Sequence, residues 1–123
     1  MATYSKRVLS GSTNGKQIKV TGTTSGGSVT VHTAVSGTSD LDEMWIYADN
    51  DSTSPVLLTL EFGGTTDVDN TIKVTIPPRG EQGNDGLFPV VPGLVLQNSL
   101  VLKAFAATGN VIKLSGYVNR IDV

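Results

Sequence analysis

Period-two alternation, closed at short intervals by turn-forming residues, constrains this chain more than any other feature. In "KQIKVTGT" (16–23), Ile18 and Val20 alternate with Lys19 and Thr21. In "VLLTLEFG" (56–63), Leu58, Leu60 and Phe62 stand against Thr59 and Glu61, and in "TIKVTIP" (71–77) Ile72, Val74 and Ile76 stand against Lys73 and Thr75. Successive side chains of a strand point to opposite faces, so this pattern is that of a sheet with one face buried. The runs end in "GSTNG" (11–15), "TSGGS" (24–28) and "GGTTDVDN" (63–70). Gly supplies left-handed backbone and Asx side chains bond their own turns, so these are tight connections.

The other runs follow the same logic. "SKRVLS" (5–10) is a short strand. "SVTVHTAV" (28–35) places Val29, Val31, Thr33 and Val35 on one face and Thr30, His32 and Ala34 on the other. In "LDEMWIYADN" (41–50), Leu41, Met44, Trp45 and Tyr47 also fit a helix face. Its length, the Trp-Ile-Tyr triplet and the flanking turn residues favour a strand. "LFPVVPGLVL" (87–96) is apolar but holds two prolines, which cannot donate to a ladder, so it reads as an edge strand or an extended crossover. "SLVLKAFAAT" (99–108) and "NVIKLSGYVNRI" (110–121) read as a hairpin. In the last run Val111, Leu114 and Val118 do not share one parity and Gly116 interrupts, which predicts an integral, bulged strand. The longest loop signal is "PPRGEQGNDG" (77–86), with two Pro and three Gly.

The sum is an all-β chain of about eight strands forming an antiparallel β-sandwich, jelly-roll-like or another Greek key, with a barrel as the rival. Thr, Ser, Val and 14 Gly dominate where helix formers are sparse. The expected core is Ile18, Val20, Val29, Val31, Trp45, Leu58, Leu60, Ile72, Val74, Leu100, Leu102, Phe105, Ile112 and Leu114. A length of 123 residues suits a single sandwich domain over 1–123, with 1–15 as a possible N-terminal arm. Cysteine is absent, so disulfides and thiolate zinc sites are excluded. The net charge is −2 and no basic run exists, so a nucleic-acid partner lacks electrostatic support. The first residues, "MATYSKRVLSGSTNG", hold no apolar signal core, and no apolar stretch approaches a membrane span, so a protein made in the cytoplasm is expected.

Few residues offer chemistry. His32 is the only histidine, and a metal site or a catalytic base would need partners that a second His or a Cys does not supply. The acidic turns "DND" (49–51), "DVDN" (67–70) and "GNDG" (83–86) raise calcium, with Asp67, Asp69 and Asn70 as first ligands, but Asx residues populate turns for backbone reasons alone. No nucleophile elbow occurs, and the Gly-rich "SGG" and "GGTT" lack the lysine and helix of a phosphate loop. The residues thus point to no catalytic site, no cofactor and no resident metal. Trp45, Tyr47 and Phe62 could stack on a sugar or pack in the core. The run 87–102 is long, apolar and proline-interrupted. It is either a crossover buried between sheets or a subunit interface, with Leu87, Phe88, Pro89, Val90, Val91, Pro92 and Leu94 as the contact residues.

Four stretches carry a family resemblance: "DEMWIYADN" (42–50), "LEFGGTTD" (60–67), "VPGLVLQNS" (91–99) and "AFAATGNVIKLSGYVNRI" (104–121). Together they cover most of the last two-thirds of the chain, and they resemble small virion structural proteins of tailed bacteriophages. The resemblance implies a non-enzymatic particle component. Within that class it points to a capsid decoration or cement protein, a homotrimer on the head exterior whose partners are itself and the major capsid protein. The loop 77–86 would then be an exposed tip or an arm gripping the shell. A tail- or neck-associated adaptor and a carbohydrate-binding module for host attachment are the rival expectations.

Overall fold

A computed structural model describes residues 2–80 and 86–123. Among the described residues nine strands run in chain order: β1 (Thr3–Val8), β2 (Ile18–Val20), β3 (Val29–Thr33), β4 (Leu41–Asn50), β5 (Val56–Phe62), β6 (Thr71–Ile76), β7 (Phe88–Leu96), β8 (Val101–Ala106) and β9 (Ile112–Asp122). A five-stranded sheet has the order β1-β9-β4-β7, with β2 also on β9. A four-stranded sheet has the order β3-β8-β5-β6. All pairings are antiparallel.

The pairs β2–β9, β3–β8, β4–β7 and β5–β6 are nested one inside the next. A long two-stranded ribbon folded over in this way distributes alternate pairs to two sheets, which is the eight-stranded jelly roll. β1 is an addition. It pairs with the Tyr117–Asp122 half of β9, while β2 takes Ile112–Leu114. Residues 3–8 of the expected arm therefore lie in the sheet, and Leu9 behind them is buried in the core.

One apolar cluster fills the space between the sheets. The five-stranded sheet contributes Met44, Ile46, Ala48, Ile112, Leu114 and Val118, and the other contributes Val31, Leu58, Leu60, Leu102, Ala104 and Ala106. Eight of the fourteen expected core residues are buried: Ile18, Val20, Val31, Leu58, Leu60, Leu102, Ile112 and Leu114. Val29, Ile72 and Val74 pack against the cluster from partly exposed positions.

The remaining three are corrections. Trp45 belongs to the odd parity of β4, whose even residues Asp42, Met44, Ile46, Ala48 and Asn50 point inward. Phe105 alternates with buried Ala104 and Ala106 on β8 and so faces outward, and Leu100 is an exposed turn residue. In β4 the larger rings sit outside and the compact residues inside, the reverse of what side-chain size suggests.

Two further expectations change. β9 pairs with β4 without a register shift from Leu41↔Ile121 to Asn50↔Ile112, so it is not bulged. Gly116 serves a close approach: a Cβ there would strike the carbonyl oxygen of Trp45. The irregularities fall instead in β7, opposite Met44/Trp45 and Ile46/Tyr47, and in β3 between Thr30 and His32. The β3 shift resets the alternation, so Val31 and His32 both face inward.

Leu60→Ala is expected to cost about 2–5 kcal/mol because the side chain is fully buried. Trp45→Ala should cost less, and urea midpoints at unchanged slope will rank the two. A chain ending at Asn110 lacks the strand between β4 and the β1/β2 edge. It is expected to lose its cooperative unfolding transition altogether.

Candidate functional site

His32 is more than a strand residue. Its side chain is buried, and its Nδ1 accepts the Ser10 backbone N–H at 3.0 Å. The ring proton therefore sits on Nε2, which donates to Asp42 Oδ2 at 2.7 Å. The same oxygen accepts from Arg120 Nη2 at 2.9 Å and the Val35 N–H at 3.1 Å, and Oδ1 accepts from Arg120 Nε at 2.8 Å. Asp42 is wholly inaccessible to solvent. The group joins β3 of one sheet to β4 and β9 of the other. With both ring nitrogens engaged and solvent excluded, His32 has no free position for a substrate proton. The cluster is a structural clasp.

The calcium expectation meets a different use of the same residues. Asp67 Oδ1 accepts the Val68 N–H at 2.8 Å and the Thr71 hydroxyl at 3.2 Å, and pairs with Lys73 at 2.7 Å. Asn70 Oδ1 accepts the Thr66 N–H at 3.3 Å. The acidic turn bonds itself, and the Lys73 ammonium beside Asp67 holds that carboxyl below the usual range. Among the described residues no group of three His, Asp or Glu is placed to hold a metal. Most of "GNDG" (83–86), and residues 81–85 of the long loop, lie outside the described residues.

The aromatic residues divide between the two sheets. Trp45 and Tyr47 lie on the outer face of the five-stranded sheet, whereas Phe62 lies on β5 and packs against the core. The three therefore form no common platform. Trp45 is fastened in place: its Nε1–H donates to Glu43 at 2.9 Å, and Asn119 donates to the same carboxylate at 3.1 Å. Its ring lies over Gly93 of β7, where a Cβ would come within 2.9 Å of the indole. Beside it on β9, the Tyr117 ring carries Lys6 at 4.5 Å from its centroid. These rings cover their own sheet.

β7 is an edge strand, as its two prolines foretell. Of the seven expected contact residues, Val90 and Val91 are buried in the chain's own core and Phe88 is half-buried against it. Leu87, Pro89, Pro92 and Leu94 are exposed, and Val95 joins them at 51%. The strand is thus part core wall and part apolar rim. Pro89 and Pro92 remove two donors and the two register shifts twist the edge, so strand addition by another chain is obstructed.

Comparison with models of known protein families, with curated proteins and with solved structures finds no match to this chain. The sequence reading missed Asp42, Arg120 and Glu61. Each is a charged residue at an inward or covered position of a strand, and alternation alone marks such residues as solvent-facing. Asp42 shares the even register of Met44, Ile46 and Ala48, a signal that becomes readable only once that face of β4 is known to point inward.

Asp42 generates a pH prediction. Burial alone would raise its carboxyl. The hydrogen bonds from Arg120 and His32, with the charge of Arg120, outweigh that and hold it below the ordinary value of 3.8. A depressed folded-state value gives stability that is complete above about pH 4 and is lost as pH falls through it. Urea midpoints should therefore drop on acidification below that point, and Asp42→Asn should flatten the dependence. At neutral pH Asp42→Asn is expected to cost about 3–5 kcal/mol, because Arg120 is left without its anion.

Proposed function

We propose that this chain is a non-enzymatic virion structural protein, a capsid decoration or cement protein that sits on the head exterior as a homotrimer and stabilises the shell through subunit contacts. The observation that carries the reading is the rim of β7, where Leu87, Leu94 and Val95 stand exposed beside Pro89 and Pro92 on an edge built against strand addition. A surface of that kind suits a contact of fixed geometry that does not propagate into fibres. The stretches resembling small phage virion proteins support it, since 91–99 includes the end of this rim. Jelly rolls recur in viral shells, which supports the reading by analogy alone, because the same fold also serves lectins and enzymes.

The partners in this reading are other copies of the chain and the major capsid protein. The turn Gln97–Leu100 continues the rim: Leu96 and Leu100 flank Gly63, where a Cβ would lie 3.3 and 3.7 Å from their methyl carbons.

Native mass in solution tests the self-contact. The wild-type chain is expected to run as a trimer, and Leu94→Lys combined with Val95→Lys as a folded monomer. Copy number in a particle carrying the protein tests the role. Many copies per head agree with a decoration protein, whereas a handful at one vertex or on the tail replaces it with an adaptor.

A further inference from the structure

The outer face of the four-stranded sheet carries a carboxylate that neither the core nor the clasp uses. Glu61 lies in β5, opposite Lys103 of β8 and Thr71 of β6. It is 1% exposed. Oε2 accepts the Ser25 hydroxyl at 2.5 Å, from the one-turn 3-10 segment Ser25–Gly27 that folds over the strand. Oε1 is buried and has no hydrogen-bond partner among the described residues. An unpaired buried carboxylate oxygen costs stability, and an apolar residue of the same length would remove the cost. Stability therefore does not account for Glu61.

Two depressions meet at this side chain. One, of about 230 Å3, is lined by Gly63, Gly64, Thr65, Leu100 and Lys103 around Glu61. The other, of about 330 Å3, is lined by Thr59, Thr65, Asp67, Lys73 and Phe105 around it. Glu61 and Thr65 belong to both. The linings combine an aromatic ring and aliphatic surface with a few convergent polar groups, the usual make-up of a small-molecule site.

The charges choose the ligand. A cation is opposed by Lys73 and Lys103, which stand in the two linings on either side of Glu61. An anion is opposed by Glu61 and Asp67. Lys103 enters no ion pair among the described residues and keeps its donors. A neutral ligand bearing several hydroxyls uses both signs: its hydroxyls donate to carboxylates and accept from ammonium and threonine groups, and its C–H face lies on Phe105.

We propose that Glu61 anchors a binding site for a neutral polyhydroxylated ligand, a saccharide unit, seated across the outer face of the four-stranded sheet. The proposal is independent of the virion reading. Because Oε1 is covered, occupancy requires a rotation of the carboxylate about its soft terminal torsion, with the Ser25 hydroxyl following.

The test is an amide chemical-shift titration of the full chain with neutral hexoses and N-acetylhexosamines, and separately with putrescine and with inorganic phosphate. The expected result is a saturable shift with a neutral sugar, confined to residues 59–67 and 103–105 and lost in Glu61→Met and in Lys103→Met. Glu61→Met is also expected to melt at the wild-type temperature or above. Several results overturn the proposal: no shift with any sugar, shifts that persist in Glu61→Met, shifts with putrescine or phosphate alone, or a marked fall in the melting temperature of Glu61→Met, which would make the carboxylate a structural group.

Discussion

A single carboxylate organises the end of this sandwich. Asp42 points into the interior from β4, where its neighbours on the same face are Met44 and Ile46. An isolated charge there would be untenable. It is held because Arg120 arrives from β9 on one side and His32 from β3 on the other, with the Val35 amide closing the remaining site. Removing the carboxylate strands the arginine and breaks the polar link between sheets. The bulge in β3 is what turns His32 inward to meet it, so a local irregularity and a buried ion pair are one feature. Apolar burial supplies most of the attraction between sheets, but it is indifferent to register. The clasp selects one.

Edges are the other constraint on a sandwich. β9 is protected by β1 and β2 together, which divide its length between them. β7 is protected by proline and by twist, with the Trp45 ring laid over Gly93. Protection by proline leaves apolar side chains exposed along that edge while making it unsuited to strand exchange. The outer face of the four-stranded sheet is different again. It is hollowed where the β5–β6 turn and the Ser25 turn rise on either side of Glu61. The two surfaces belong to different sheets and need not serve one role.

The sequence carried much of the fold in plain sight. Strands 56–62 and 71–76 lie where alternation and turn residues place them, and 41–50 lies where its length, aromatic residues and flanking turns do. The prolines at 89 and 92 marked an edge for the reason proline always does. Which parity of β4 faces inward was not legible, since both carry apolar residues and the larger rings are the outer ones. The bulge in β3 was not legible either. It depends on the partner strand and on Asp42, and neither is local to residues 29–33. Candidate sites were harder. Glu61 alternates with Leu60 and Phe62 as a solvent-facing residue should, and the turn from Ser25 that folds over it is distant in sequence.

The claim that the clasp sets the register is tested most directly by a double-mutant cycle between Asp42→Asn and His32→Leu, the pair that spans the two sheets, with unfolding free energies measured in urea at neutral pH. Strong non-additivity is expected, the double variant being little worse than the poorer single variant, because both substitutions break the same link between sheets. Additive losses would show that the two residues stabilise the fold separately, and the sheets would then be held in register by apolar packing alone.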